Sequence, residues 1–186
     1  MSIRSTAAML FTTAIALGSF ADEPMRTAAL NGDDSKFFEK AASADMLEVE
    51  SGRLAAKKAT DPQLREFGQK MATDHAQAIA KLRALAARKG VALPAAMSDD
   101  QQKKLAKLRE EKAGGHFDAR FRDLMVDSHE DAVSLFEKTA KDSKDPDVKA
   151  FAAKMLPKLQ QHEVAAKTLP KIVEAPAPVP PARVNP

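Results

Sequence analysis

The chain has 186 residues, 44% of them hydrophobic and 30% charged, the size of one domain with appendages. It contains no Cys, Trp or Tyr, which excludes disulfide scaffolds, thiolate metal sites, iron–sulfur clusters and cysteine nucleophiles. The formal charge of +3 is scattered along the chain and is not interleaved with aromatic residues, so no nucleic-acid-binding stripe is present.

The seven glycines form no GxGxxG, GxxxxGKS/T or GxSxG pattern. A phosphate-cradling loop and a nucleophile elbow are thereby missing, and no reaction is named by motif. Nothing in the pattern requires an enzyme.

Residues 1–21 carry Arg4, an uncharged apolar stretch from Thr6 to Phe20, and the small-x-small ending Ser19-Phe20-Ala21. This is the pattern of a secretory signal peptide cleaved near Ala21. The stretch is shorter than the ~20 residues a spanning helix needs, and no second one follows. The expected product is a periplasmic or secreted protein with no transmembrane segment in its mature chain.

Residues 22–34 are polar and mixed and are expected to be flexible. Helical patterning then runs through residues 35–169. A first long helix is expected from Ser35 to about Thr60. Asp61-Pro62 supplies an N-cap and a first-turn proline for a second, ending at Gly90. Ser98-Asp99-Asp100-Gln101 is a capping box for a short helix that stops at Gly114-Gly115. A third long helix spans about His116 to Lys141, and Asp145-Pro146 opens a fourth, to about Leu169.

DPQLREFGQKM from Asp61 and DPDVKAFAAKM from Asp145 share Asp, Pro, Phe, Lys and Met at equal offsets. Two related helical hairpins explain the echo. The expected fold class is all-α: a ferritin-like antiparallel four-helix bundle, with a helical crossover between its second and third long helices. The tail from Pro170 to Pro186 holds six of the eleven prolines and is expected to be disordered. It is either passive or a contact for an envelope protein or the cell wall.

Three histidines interrupt apolar stripes at helical spacing. They are His75 after Phe67 and Met71, His129 after Phe121 and Met125, and His162 after Met155 and Leu159. With a rise of ~1.5 Å per residue, His75 stands about 20 Å and His162 about 24 Å from the turn opening its helix. Glu48 and His129 stand about 18 Å before the turn closing theirs. Four polar groups, one per helix, therefore share a mid-bundle layer.

Two readings of that layer follow. Neutral imidazoles with one carboxylate are a ligand set for zinc, copper, nickel or iron, with His75, His129, His162 and Glu48 as ligands. Alternatively each histidine is a core residue satisfied by a neighbouring acceptor. Imidazole nitrogens converging within roughly 4–5 Å would favour the first. Asp74 is placed beside the layer or at the surface. No ExxH stands at any of the three histidines, which disfavours a ferroxidase-type di-metal site. Pro157, five residues before His162, is expected to kink or interrupt the last helix.

The strings FxxxMxxDH (from Phe67), FD (Phe117-Asp118), the isolated His129 and LPxLxxH (from Leu156) resemble the bacterial domain of unknown function 4142 over about Lys36 to Leu169. The resemblance implies an exported ferritin-like bundle without a settled activity. Its motif positions are Glu48, Asp74, His75, Phe117, Asp118, His129, Pro157 and His162, which adds Asp118 to Asp74 as a further candidate near a single zinc, copper or iron ion. The Pro-rich tail departs from the family pattern.

Overall fold

The computed structural model describes residues 30–171. The signal segment 1–21, residues 22–29 and the tail beyond residue 171 lie outside the described residues. Within them the chain forms five α-helices and no strand: α1 (Gly32–Lys58), α2 (Pro62–Arg88), α3 (Asp99–Glu110), α4 (Gly115–Asp142) and α5 (Pro146–Thr168).

α1 begins three residues before the position expected from Ser35. Asn31 is its N-cap, accepting from the Asp34 amide at 2.8 Å and donating to the Asp34 carboxylate at 2.9 Å. Asp34, expected in a flexible segment, is thereby buried. α2 and α5 open on the same device. Asp61 accepts from the amides of Gln63 and Leu64, Asp145 from those of Asp147 and Val148, and a proline takes the first helical position. α2 closes at Gly90, whose φ of +65° suits glycine, with amides of Gly90 and Val91 returning to the carbonyls of Ala87 and Ala86.

α5 continues through Pro157 from Pro146 to Thr168, so the expected interruption does not occur. The ring removes the amide that would bond the carbonyl of Ala153. Ala153 and Pro157 are both exposed, where water can serve that carbonyl.

α1 packs tightly on α2 and α4 on α5, α1 also meets α4, and α3 lies against α1 and α4. The α1–α2 crossing is close because two glycines face each other. A Cβ on Gly52 would lie 2.5 Å from the Gly68 carbonyl oxygen, and one on Gly68 would lie 2.6 Å from Ala55 Cβ. The helices touch where a side chain would hold them apart.

Two apolar clusters fill the interior. One gathers Phe37, Phe38, Leu82, Phe136 and Val148 with their neighbours, and the other Leu64, Met71, Phe117, Phe121, Met125 and Ala166. Each helix that crosses both carries a buried polar group at the junction. These are Glu48 on α1, His75 on α2 between Met71 and Leu82, His129 on α4 between Met125 and Phe136, and His162 on α5 between Leu159 and Ala166. The polar layer is sandwiched between apolar halves. No helix of the described residues is long and apolar enough to cross a membrane.

Candidate metal centre

His75, His129 and His162 converge on one point. Each offers one ring nitrogen, the three lie within 4.8 Å of one another, and the ring centroids are 5.4–5.5 Å apart. All three residues are 0–3% exposed, so these nitrogens have lost water as a partner. The expected convergence is met.

The opposite nitrogen of every ring is held. His129 Nδ1 lies 2.7 Å from the Met125 carbonyl oxygen one turn back. A carbonyl only accepts, so Nδ1 carries the hydrogen, and in the neutral ring Nε2 keeps its lone pair. His75 Nδ1 stands 2.8 Å from Asp45 Oδ1, and His162 Nε2 stands 2.9 Å from Asp74 Oδ2. The nitrogens left over are His75 Nε2, His129 Nε2 and His162 Nδ1, and none has a hydrogen-bond partner.

Charge around the layer is predominantly negative. Burial works against a charged His75, but the hydrogen bond it donates to Asp45 and the charges of Glu48, Asp45 and Asp74 outweigh it and raise its pKa. His162 is pushed down to about 3, first by burial and then by the proximity of His75 and His129, and is neutral at pH 7. Burial raises the pKa of Asp45. Asp74 resists its own burial, because hydrogen bonds from Lys70, Lys158 and His162 hold it below the usual carboxylate range.

Asp74 therefore joins His162 to the surface, with Lys70 Nζ at 2.6 Å and Lys158 Nζ at 3.0 Å on the same oxygen. Glu48 does not stand among the converging nitrogens. Its Oε1 accepts from the Ser128 hydroxyl and lies 3.7 Å from His129 Nδ1, the nitrogen already committed to Met125, while Oε2 is buried without a partner. Shared height did not decide which edge of the ring the carboxylate meets.

Asp118 is a correction to the expectation. Its buried carboxylate accepts from the amides of Thr60 and Asp61 at 3.0–3.2 Å and from the Thr60 hydroxyl, clamping the α1–α2 turn rather than serving the histidines. It stands in the first turn of α4, whereas His129 is three turns further on. Asp45 and Ser128 are the contributors that patterning passed over. Asp45 stands three residues before Glu48 on α1, the one available signal that both acids share a helix face.

These features define an all-α domain with a buried three-histidine cluster between two apolar halves. The chain belongs to the family described as a domain of unknown function (DUF4142), whose model matches residues 19–169. The crystal structure of a DUF305 fragment from Deinococcus radiodurans is similar in fold, with a TM-score of 0.64 at 11% identity over 75% of this chain and 96% of that one. No curated protein sequence matches the chain.

Proposed function

We propose that this is an exported metal-binding protein holding one transition-metal ion through His75 Nε2, His129 Nε2 and His162 Nδ1. The observation that carries the reading is the division of labour within each ring, one nitrogen hydrogen-bonded and the other buried and unpartnered, in three rings that each bring a nitrogen within 4.8 Å of the others. Metal-bound imidazoles are held by their second nitrogen in this way.

A core satisfied by hydrogen bonds alone would need partners for these three nitrogens. Each buried polar atom without one costs about 1–3 kcal/mol. A divalent cation would also balance the two carboxylates, Asp45 and Glu48, that face the histidines. Ligand distances near 2.0–2.1 Å require the nitrogens to draw in to about 3.4 Å apart, a closure of roughly an ångström. Three nitrogen donors suit zinc, copper, nickel or iron, and Glu48, whose Oε2 is buried without a partner, would have to turn from the Nδ1 edge of His129 to serve as a fourth ligand.

We read the fold as a ferritin-like four-helix bundle. α2 and α4 both run from the Met71–Met125 cluster toward the Leu82–Phe136 cluster, so the segment carrying α3 returns along the bundle as a crossover. Burial of the donors favours holding an ion over turning over a substrate, which fits metal handling or envelope stress in the periplasm or outside the cell. Metal titration of the full mature chain against a variant lacking the three imidazoles tests the reading.

A further inference from the structure

A cavity lies apart from the histidines, on the outer face of the α1–α2 pair under the segment leading into α3. It has a volume of about 920 Å³, within the range of small-molecule sites. Its apolar surface comes from Met46 and Val49 on α1, Ile79 on α2, Met97 in the connection and Leu105 on α3. Leu105 is buried at its base, and the others are partly exposed.

The rim is cationic. Arg53, Arg83, Lys103 and Arg109 line it against Glu50 and Asp99. Glu50 is already engaged, with Arg53 at 2.8 Å and Arg109 at 3.2 Å. Arg83 and Lys103 have no ion pair or hydrogen bond among the described residues. An apolar trough with two uncommitted cations at its edge complements a molecule with an apolar body and one anionic head.

We infer that this groove binds a free alkyl carboxylate, a fatty-acid-class amphiphile, with its chain along Met46, Val49, Ile79 and Leu105 and its head on Arg83 and Lys103. An arginine fork matches a carboxylate through two parallel hydrogen bonds, and lysine adds a point charge. The chain contributes through water-free contact, so each added methylene raises affinity about three- to fourfold until the trough is full. The site is independent of the metal reading.

Isothermal titration of the full mature chain with octanoate, decanoate and dodecanoate, below their aggregation concentrations, tests the inference. Expected are one site per chain, affinity rising at each step, and dodecanol at least tenfold weaker than dodecanoate. Arg83→Ala with Lys103→Ala should weaken dodecanoate at least tenfold. Both side chains are exposed, so the fold should survive, with an unchanged melting curve as the check. Ile79→Glu should weaken all three acids. Absence of saturable binding overturns the inference. So does equal affinity for acid and alcohol, or dodecanoate binding that the Arg83/Lys103 pair leaves unaltered.

Discussion

Asp45 on α1 and His75 on α2 meet across the helix pair at 2.8 Å, Oδ1 to Nδ1, and this contact leaves Nε2 without a partner in a ring packed 5.4–5.5 Å from those of His129 and His162. Asp74 fixes His162 in the same sense, and the Met125 carbonyl fixes His129. His75 and His162 are thus held from a neighbouring helix, and His129 by a backbone carbonyl of its own helix.

These supports should set metal affinity. Asp45→Asn and Asp74→Asn should each lower metal affinity 10- to 100-fold without removing a ligand, as loss of a partner behind a metal-bound imidazole does. Competition titration with a chromogenic chelator measures it. Affinity within twofold of wild type in both variants would mean that the hydrogen bonds do not prepare the nitrogens.

Acid should destabilise the metal-free protein. His162 titrates at about 3 in the folded chain, against an ordinary 6.5. Between those values the unfolded state binds more protons, so stability falls as pH drops through the window. Asp74, lowered in the fold, contributes stability that is also lost on acidification. His75 works oppositely, its raised value giving stability that is complete at low pH and lost as pH rises through it. Urea midpoints from pH 7 to 3.5 should fall for the wild type and less steeply for His162→Gln. Parallel slopes would contradict the assignment.

Asp118 should matter for stability and not for metal. Asp118→Ala strands the amides of Thr60 and Asp61, at a cost of about 1–3 kcal/mol for each buried donor that water does not reach. Denaturant unfolding should shift while metal stoichiometry stays at the wild-type value. A loss of bound metal from the still-folded variant would return Asp118 to the site.

Gly68→Ala tests the close crossing of α1 and α2. The added methyl would stand 2.6 Å from Ala55 Cβ and 2.9 Å from the Gly52 carbonyl oxygen, and overpacking of this kind costs about 1–3 kcal/mol. The effect should exceed the small gain that alanine normally brings to a helix interior. A variant as stable as the wild type would show that the pair relaxes at no cost.

The long helices and the level of the three histidines were legible because α-helices rise uniformly and the Asp-Pro pairs at 61–62 and 145–146 mark where counting starts. Counting along a helix does not give rotation around it. Glu48 therefore matched in height but faces the Nδ1 edge of His129 instead of the shared centre. Asp45 was hidden for a related reason, since one acid on an alanine-rich helix looks the same in sequence whether it faces inward or outward.

Asp118 meets Thr60 across 58 residues, a contact made by the docking of α4 on the α1–α2 turn that no local pattern encodes. Gly52 and Gly68 carry the same lesson, because only the assembled pair shows what a Cβ would strike. Pro157 left a kink and a break both open in sequence, and the helix is continuous through it, where the freed carbonyl faces solvent.

Elemental analysis by mass spectrometry decides whether the three histidines hold an ion, measured on the untagged chain from Asp22 purified without chelator beside the His75→Ala/His129→Ala/His162→Ala variant. Both should also be measured after incubation with zinc, copper, nickel and iron salts and removal of excess ion. The account predicts close to one ion per wild-type chain and none in the variant, whose folding is checked by circular dichroism. Wild-type protein that stays metal-free after every incubation, or a variant that retains the same metal content, would contradict it.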